Sequence, residues 1–218
     1  MKALKFLNSA GLETISSAIK EAEKITSGEL VIRINDKSDD YNEAYWKSGA
    51  LLMVLYLSAA AILRILNIDI PLLDSLLIVL SGAALSFLAG TIAAIIIPPY
   101  RRLVIGREVM RYYTDLKAHE AFLHAEVFNT KFRTGILIYL SLFEKTAVIL
   151  GDSGINAKVR QEEWQAITSS ITAGIKAGRK AEAIAQSIKM CGDLLEKSGV
   201  KKEAGDTDEL SNEVRIGR

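Results

Sequence analysis

Four aspartates are the side chains in this sequence best placed to do chemistry. Asp36, Asp39 and Asp40 crowd the polar stretch from Asn35 to Asn42, and Asp152 sits in the turn Gly151-Asp152-Ser153-Gly154. Hard divalent cations prefer carboxylate oxygens, so these positions could hold calcium or magnesium. Loops at strand ends are where α/β folds usually place ligands. The spacing is not that of an EF-hand. A solvated loop is the alternative for the first three, and a turn-stabilising aspartate the alternative at 152. Asp152 is expected to be exposed or to hold a cation, because a buried, unpaired carboxylate is costly or shifts its pKa until neutral.

The remaining reactive types give weaker patterns. His119 and His124 are five apart, which turns them about 140° around a helix. A helical zinc-protease motif needs histidines four apart on one face. Cys191 lies on an apolar stripe with no histidine beside it in sequence, as a small buried hydrophobe would. With one cysteine the chain has no internal disulfide. Thr26-Ser27-Gly28 lacks the Gly-Lys-Ser/Thr of a P-loop and reads as a helix stop, with Gly28 able to take the left-handed conformation. No nucleophile–base pair and no dense carboxylate cluster is visible.

The elements that must position these residues follow from periodicity. Leu12, Ile15, Ile19 and Ala22 make Ser9 to Lys24 an amphipathic helix, and Glu29 to Ile34 a strand rich in branched residues. A polar helix from about Arg102 to Asn129, broken near Leu116, precedes a strand at Gly135 to Leu142 that is apolar on both faces. A second strand, Thr146 to Leu150, follows closely. Two amphipathic helices come next, one marked by Trp164, Ile167, Ile171 and Ile175, the other by Ile184, Ile188, Cys191 and Leu195. From Lys201 the chain reads as a polar tail.

Between these halves lies a different kind of segment. Of the 218 residues 50% are hydrophobic, an ordinary fraction, yet Gly49 to Pro98 carries only three charges, Arg64, Asp69 and Asp74. Gly49–Leu66 and Leu72–Pro98 are each long enough to cross a bilayer, which takes roughly 20 apolar residues. Asn67 to Pro71 is the turn between them. Tyr45 and Trp46 before the hairpin, and Arg101 and Arg102 after it, are residues suited to the membrane–water interface. The basic flanks predict both termini in the cytoplasm of an inner or plasma membrane protein. Gly82, Ser86, Gly90 and Ala94 form a small-residue stripe that should face the first helix or a second copy of the chain. The N-terminus lacks a continuous apolar run, so no cleaved signal is expected. A net charge of +1 leaves no basic footprint for nucleic acid.

At this point the sequence resembles the TPM domain family. The resemblance rests on Thr26-Ser27-Gly28-Glu29-Leu30-Val31-Ile32, on the run from Thr134 to Glu144, and on Val148 to Ile155. Ala121-Phe122, Trp164 and Asp208-Glu209-Leu210-Ser211-Asn212 fit the same pattern. The family implies an α/β/α sandwich around a small mixed sheet. It also implies roles in assembly or repair of membrane complexes, acid phosphatase activity in some members, and divalent cations held by acidic loops. Here the apolar hairpin lies inside the domain, whereas the family usually carries its anchor after it.

The expected organisation is therefore an α/β protein with an inserted transmembrane hairpin. Residues 1–46 and 101–200 form the TPM-like domain, 47–100 the hairpin, and 201–218 the tail. The function expected first is a membrane-anchored module for interaction with, or maintenance of, membrane protein complexes. Its partners are the bilayer and another membrane protein or a second copy, and not nucleic acid. A metal-dependent phosphatase using the acidic loops is the alternative.

Overall fold

In the computed structural model, which describes residues 3–68, 70–202 and 209–217, the first amphipathic segment is helix α1 (Ser9–Ala22). Asp69 and Asp208 lie outside the described residues. The Asn8 side chain caps α1 by accepting from the Gly11 N–H at 2.8 Å, and Ile15, Ile19 and Ala22 are its buried stripe. Strand β1 (Glu29–Asn35) follows. Gly28, able to take the left-handed conformation, is not in it. The described glycines with positive φ are Gly106, Gly178 and Gly199. Gly28 is needed for room, because a Cβ on it would collide with the Leu195 side chain.

Helices α2 (Glu43–Ile65) and α3 (Leu76–Ile96) are the apolar pair, and α4 (Pro98–Ile105) starts with proline in its first turn, where the missing N–H costs nothing. The next helix, α5 (Arg107–His124), is continuous through Leu116. The break expected at Leu116 falls at Gly106 instead, whose φ of +83° is easy for glycine alone. Strands β2 (Gly135–Ser141) and β3 (Thr146–Gly151), and helices α7 (Gln161–Lys176) and α8 (Lys180–Lys197), lie where they are expected or nearly so, while the short helix α6 (Ser153–Asn156) starts within the stretch read as a turn. A fourth strand, β4 (Arg215–Gly217), was not expected.

The sheet order is β3-β2-β1-β4. β1 runs parallel to β2, from Glu29 beside Gly135 to Asn35 beside Ser141, while β2 and β3 are antiparallel. β4 lies parallel to β1 along Arg33–Asn35. The segment read as a polar tail therefore contributes an edge strand. Three residues are too few for a periodic signal, and the segment is held instead by side chains from far away in sequence. The buried Glu29 carboxylate accepts from the N–H groups of Glu209 and Leu210 at 3.1 and 3.0 Å. The Lys131 N–H donates to the Glu209 carboxylate at 2.8 Å.

Both faces of the sheet are covered, which makes an α/β/α sandwich around a mixed sheet. On one face Leu30, Ile32, Ile136 and Ile138 pack with α1, with Trp164 and Ile167 of α7, and with Ile184 and Ile188 of α8. Cys191 belongs to this core, and burial pushes its thiol up to about 12, so it stays protonated and acts as a small apolar group. On the other face Val31, Leu137 and Tyr139 meet Ala118 and Ala121 of α5. Small alanines let that helix lie close to the strands.

The chain divides into two compact units, Met1–Ser38 with Arg111–Arg218, and Asp39–Met110. In the second, α2 and α3 pack antiparallel: Gly90 lies against Ser48 and Gly49, and Gly82 against Tyr56. Both helices are long and apolar enough to cross a membrane. Arg64 bridges their turn, donating at 3.0 Å to both the Leu73 carbonyl and the Asp74 carboxylate.

Candidate functional site

β1 and β2 end side by side at Asn35 and Ser141, and a buried polar cluster forms there. Along β2 the α5-facing positions are Leu137, Tyr139 and then Ser141, so the face turns from apolar to hydroxylic toward the strand end. The Ser38 N–H donates to Glu144 Oε1 at 2.9 Å, and the Ser141 hydroxyl donates to Glu144 Oε2. Ser38 Oγ lies 2.9 Å from Ser141 Oγ, 3.2 Å from the Tyr139 hydroxyl and 3.4 Å from Thr114 Oγ1 of α5. All five residues are buried. Burial pushes the Tyr139 phenol above its usual value, against a smaller opposing effect of its hydrogen bond with Ser38, so it is protonated at neutral pH.

This arrangement holds more readily than it reacts. Both carboxylate oxygens of Glu144 already accept a hydrogen bond, and the cluster includes neither histidine nor cysteine. What it does is clamp the segment after β1 to β2 and α5 at the end of the sheet where the chain leaves for, and returns from, residues 39–110. None of its members was singled out from the sequence. The available signal was the pair of polar residues, Tyr139 and Ser141, on one face of an otherwise apolar strand.

The four aspartates are not brought together. Asp36, half-buried just after β1, accepts from the Ala3 N–H. Asp39 accepts from the Tyr41 N–H at 2.7 Å, and Asp40 is exposed. Asp152 follows β3, which runs antiparallel to β2, and so lies at the opposite end of the sheet from Asp36, about 20 Å away along a strand of seven residues. Among the described residues, no group of three or more His, Cys, Asp or Glu side chains could hold a metal ion. His119 and His124 point elsewhere, His119 Nδ1 lying 2.8 Å from the Asp115 carbonyl and His124 3.7 Å from Glu120.

Asp152 is also not exposed, contrary to expectation. Its side chain is 6% accessible because Arg133, from the loop before β2, neutralises it. Arg133 Nη2 donates to Oδ1 at 3.1 Å, while Nε stands 2.8 Å from Oδ2 but off the line of its N–H, an ionic contact only. Oδ1 also accepts from the Ser153 N–H at 2.6 Å and caps α6. We predict that Asp152→Asn, which can keep the cap but loses the charge, costs about 1–2 kcal/mol, since Arg133 is half in solvent. Asp152→Ala should cost about 1 kcal/mol more through the lost cap. Urea unfolding of the two variants checks this, and wild-type midpoints in both would show that the pair contributes nothing.

In the apolar unit, the small residues of α3 line up on α2. Gly90 and Ala94 are buried, and Gly82 and Ser86 partly so. Tyr45 and Arg101 form a joint: Arg101 Nη1 donates to the Tyr45 hydroxyl at 2.7 Å and its guanidinium lies 5.7 Å from the ring centre. Trp46 is exposed and Arg102 partly buried.

Neither protein-family profiles nor curated proteins match the chain. A solved structure does. The NMR structure of the BA42 protein from the psychrophilic bacterium Bizionia argentinensis superimposes with a TM-score of 0.58 at 22% identity, over 98% of this chain and 97% of that one. The chain shares the fold of BA42, a TPM-domain protein. In this TPM-like fold the residues of the Thr26–Glu29 run are joints. The Thr26 and Ser27 hydroxyls donate to the carbonyls of Val200 and Lys201 at 2.5 and 2.9 Å, and Glu29 holds the segment at 209–210. Thr134 completes the joint by donating to the Ser27 carbonyl at 2.6 Å.

Proposed function

We propose that this protein is an integral membrane protein of the inner or plasma membrane. Its α2–α3 hairpin anchors the TPM-like unit at the cytoplasmic surface, and that unit serves as an interaction module in the assembly or maintenance of membrane protein complexes. The observation that carries the anchoring is the parallel ladder between β1 and β2, which closes across the two apolar helices. Two crossings return the chain to the side it left; one would keep the strands apart. The outward residues of the pair, such as Leu55, Leu77 and Leu85, are left exposed by the described residues, and hydrocarbon suits them better than water. Small residues packed between the helices and an interfacial Tyr45–Arg101 joint support the same reading. The basic flanks favour cytoplasmic termini. A module role is supported by a buried polar cluster built to hold rather than to react.

The anchor is tested with single cysteines at Leu55 and Leu85 carrying an environment-sensitive dye, since the buried Cys191 does not compete for label. In vesicles with brominated acyl chains both dyes should be quenched, and one at Lys197 should not. Dyes at 55 and 85 that escape quenching would sink the anchor. A reporter active only outside the cytoplasm, fused behind the C-terminus, should stay silent.

A further inference from the structure

Helix α5 has a second face that the described residues leave exposed. Thr114, Ala118 and Ala121 turn inward and are buried. Opposite them, Tyr112, Leu116, His119 and Leu123 recur at spacings of four, three and four, the repeat of a helix that packs against another helix. Tyr112, Leu116 and Leu123 are 65%, 53% and 62% exposed, and His119 is exposed as well. With 3.6 residues per turn, Asp115 and Glu120 flank this stripe on its two sides. The basic residues stand behind them: Arg111 lies 3.9 Å from Asp115, and Lys117 donates to Glu120 at 2.8 Å. The Lys117 hydrogen bond holds the Glu120 carboxyl below its usual range, so the flank stays charged. His119 also lines a cleft of about 130 Å³ with Phe122, Leu150 and Gln161, which widens the stripe into a groove beside β3.

We infer that this groove docks an amphipathic helix of a partner protein, one with an apolar stripe flanked by lysine or arginine. The charges choose between occupants. In a parallel pair of α5 helices, Asp115 of one would face Glu120 of the other, and an antiparallel pair would bring like flanks together. A second copy is therefore disfavoured and a basic-flanked helix favoured. His119, a polar residue within the seam, would fix the register. The inference rests on the interaction-module reading and gives its partner a chemistry.

The test uses the full chain in nanodiscs, with a labelled three-heptad peptide carrying leucine at the seam and lysine on the flanks, and an otherwise identical peptide with glutamate flanks. Empty nanodiscs set the background. The lysine peptide should bind at least about tenfold more tightly than the glutamate peptide. Leu116→Asp, an exposed change that should leave the melting curve unaltered, should weaken it by about tenfold or more, and Leu116→Ala by less. Joint reversal of Asp115 and Glu120 to lysine should switch the preference. Equal binding of both peptides, no binding, or a Leu116→Asp variant that binds like wild type would overturn the inference. If that happens while the Leu55 and Leu85 dyes are quenched and a membrane protein still co-purifies, the anchored module stands and only its helix-binding groove is lost.

Discussion

Replacing Gly90 with leucine should separate α2 from α3 and lower the melting temperature of the detergent-solubilised protein. A Cβ at this position would collide with the carbonyl oxygen of Ser48 and stand 3.0 Å from the Gly49 Cα. These are backbone atoms, which cannot swing aside as a rotamer can. Overpacking of this kind costs about 3 kcal/mol when neighbours yield, and more when they are main chain. Gly82 makes the contrast. A Cβ there meets the ring and hydroxyl of Tyr56, a side chain free to rotate, so Gly82→Ala should cost less than about 1 kcal/mol. Circular dichroism melts of the two variants should therefore differ widely. If Gly90→Leu melts like wild type, the stripe on α3 does not meet α2.

The second large effect is expected at Glu144. Its carboxylate is the acceptor for the Ser38 N–H and the Ser141 hydroxyl, all of them buried. In Glu144→Ala both donors lose their partner, and each buried donor left unsatisfied costs about 1–3 kcal/mol. We predict a total near 4 kcal/mol, enough to unfold a marginal domain. Glu144→Gln retains one acceptor, and the Ser141 hydroxyl can reverse to accept from the new amide, so its cost should stay near 1 kcal/mol. Trp164, 2% exposed in the core, reports the unfolding in a Trp46→Phe background. An alanine variant with an unshifted urea midpoint would mean that the cluster is not a clamp and that Glu144 is free for other work.

Features that repeat along the chain could be read without a structure. The buried stripe of α1, the wholly buried and mostly apolar β2 and the long apolar helices each write a period or a length into consecutive residues. Features made by contact between distant positions could not. Ser38 reaches Glu144 and Thr114, Asp152 reaches Arg133, and Glu29 reaches Glu209, and nothing near either partner announces the other. The misplacement of Asp152 on the surface follows from this. An unpaired buried carboxylate is costly, but Asp152 is paired by Arg133, 19 residues earlier, which no local pattern announces. Glycine gave a mixed result for a related reason. Gly106 breaks a helix through its own φ, whereas Gly28 and Gly90 are defined by neighbours from other helices.

The β1–β2 ladder also sets an order of events during synthesis. β1 is complete at Asn35, but its partner does not begin until Gly135, and both apolar helices emerge between them. At roughly 5–20 residues per second, the strand waits on the order of 5–20 s with neither neighbour made. Its other neighbour, β4, at Arg215–Gly217, is made later still. On the proposed anchoring, hydrophobic residues of the central sheet are thus held open while the hairpin enters the lipid, and the sheet cannot close ahead of insertion. On that same reading, a ribosome stalled before Ser141 would leave an inserted hairpin with no sheet, a state for which chaperone or protease, and not refolding, is the available outcome.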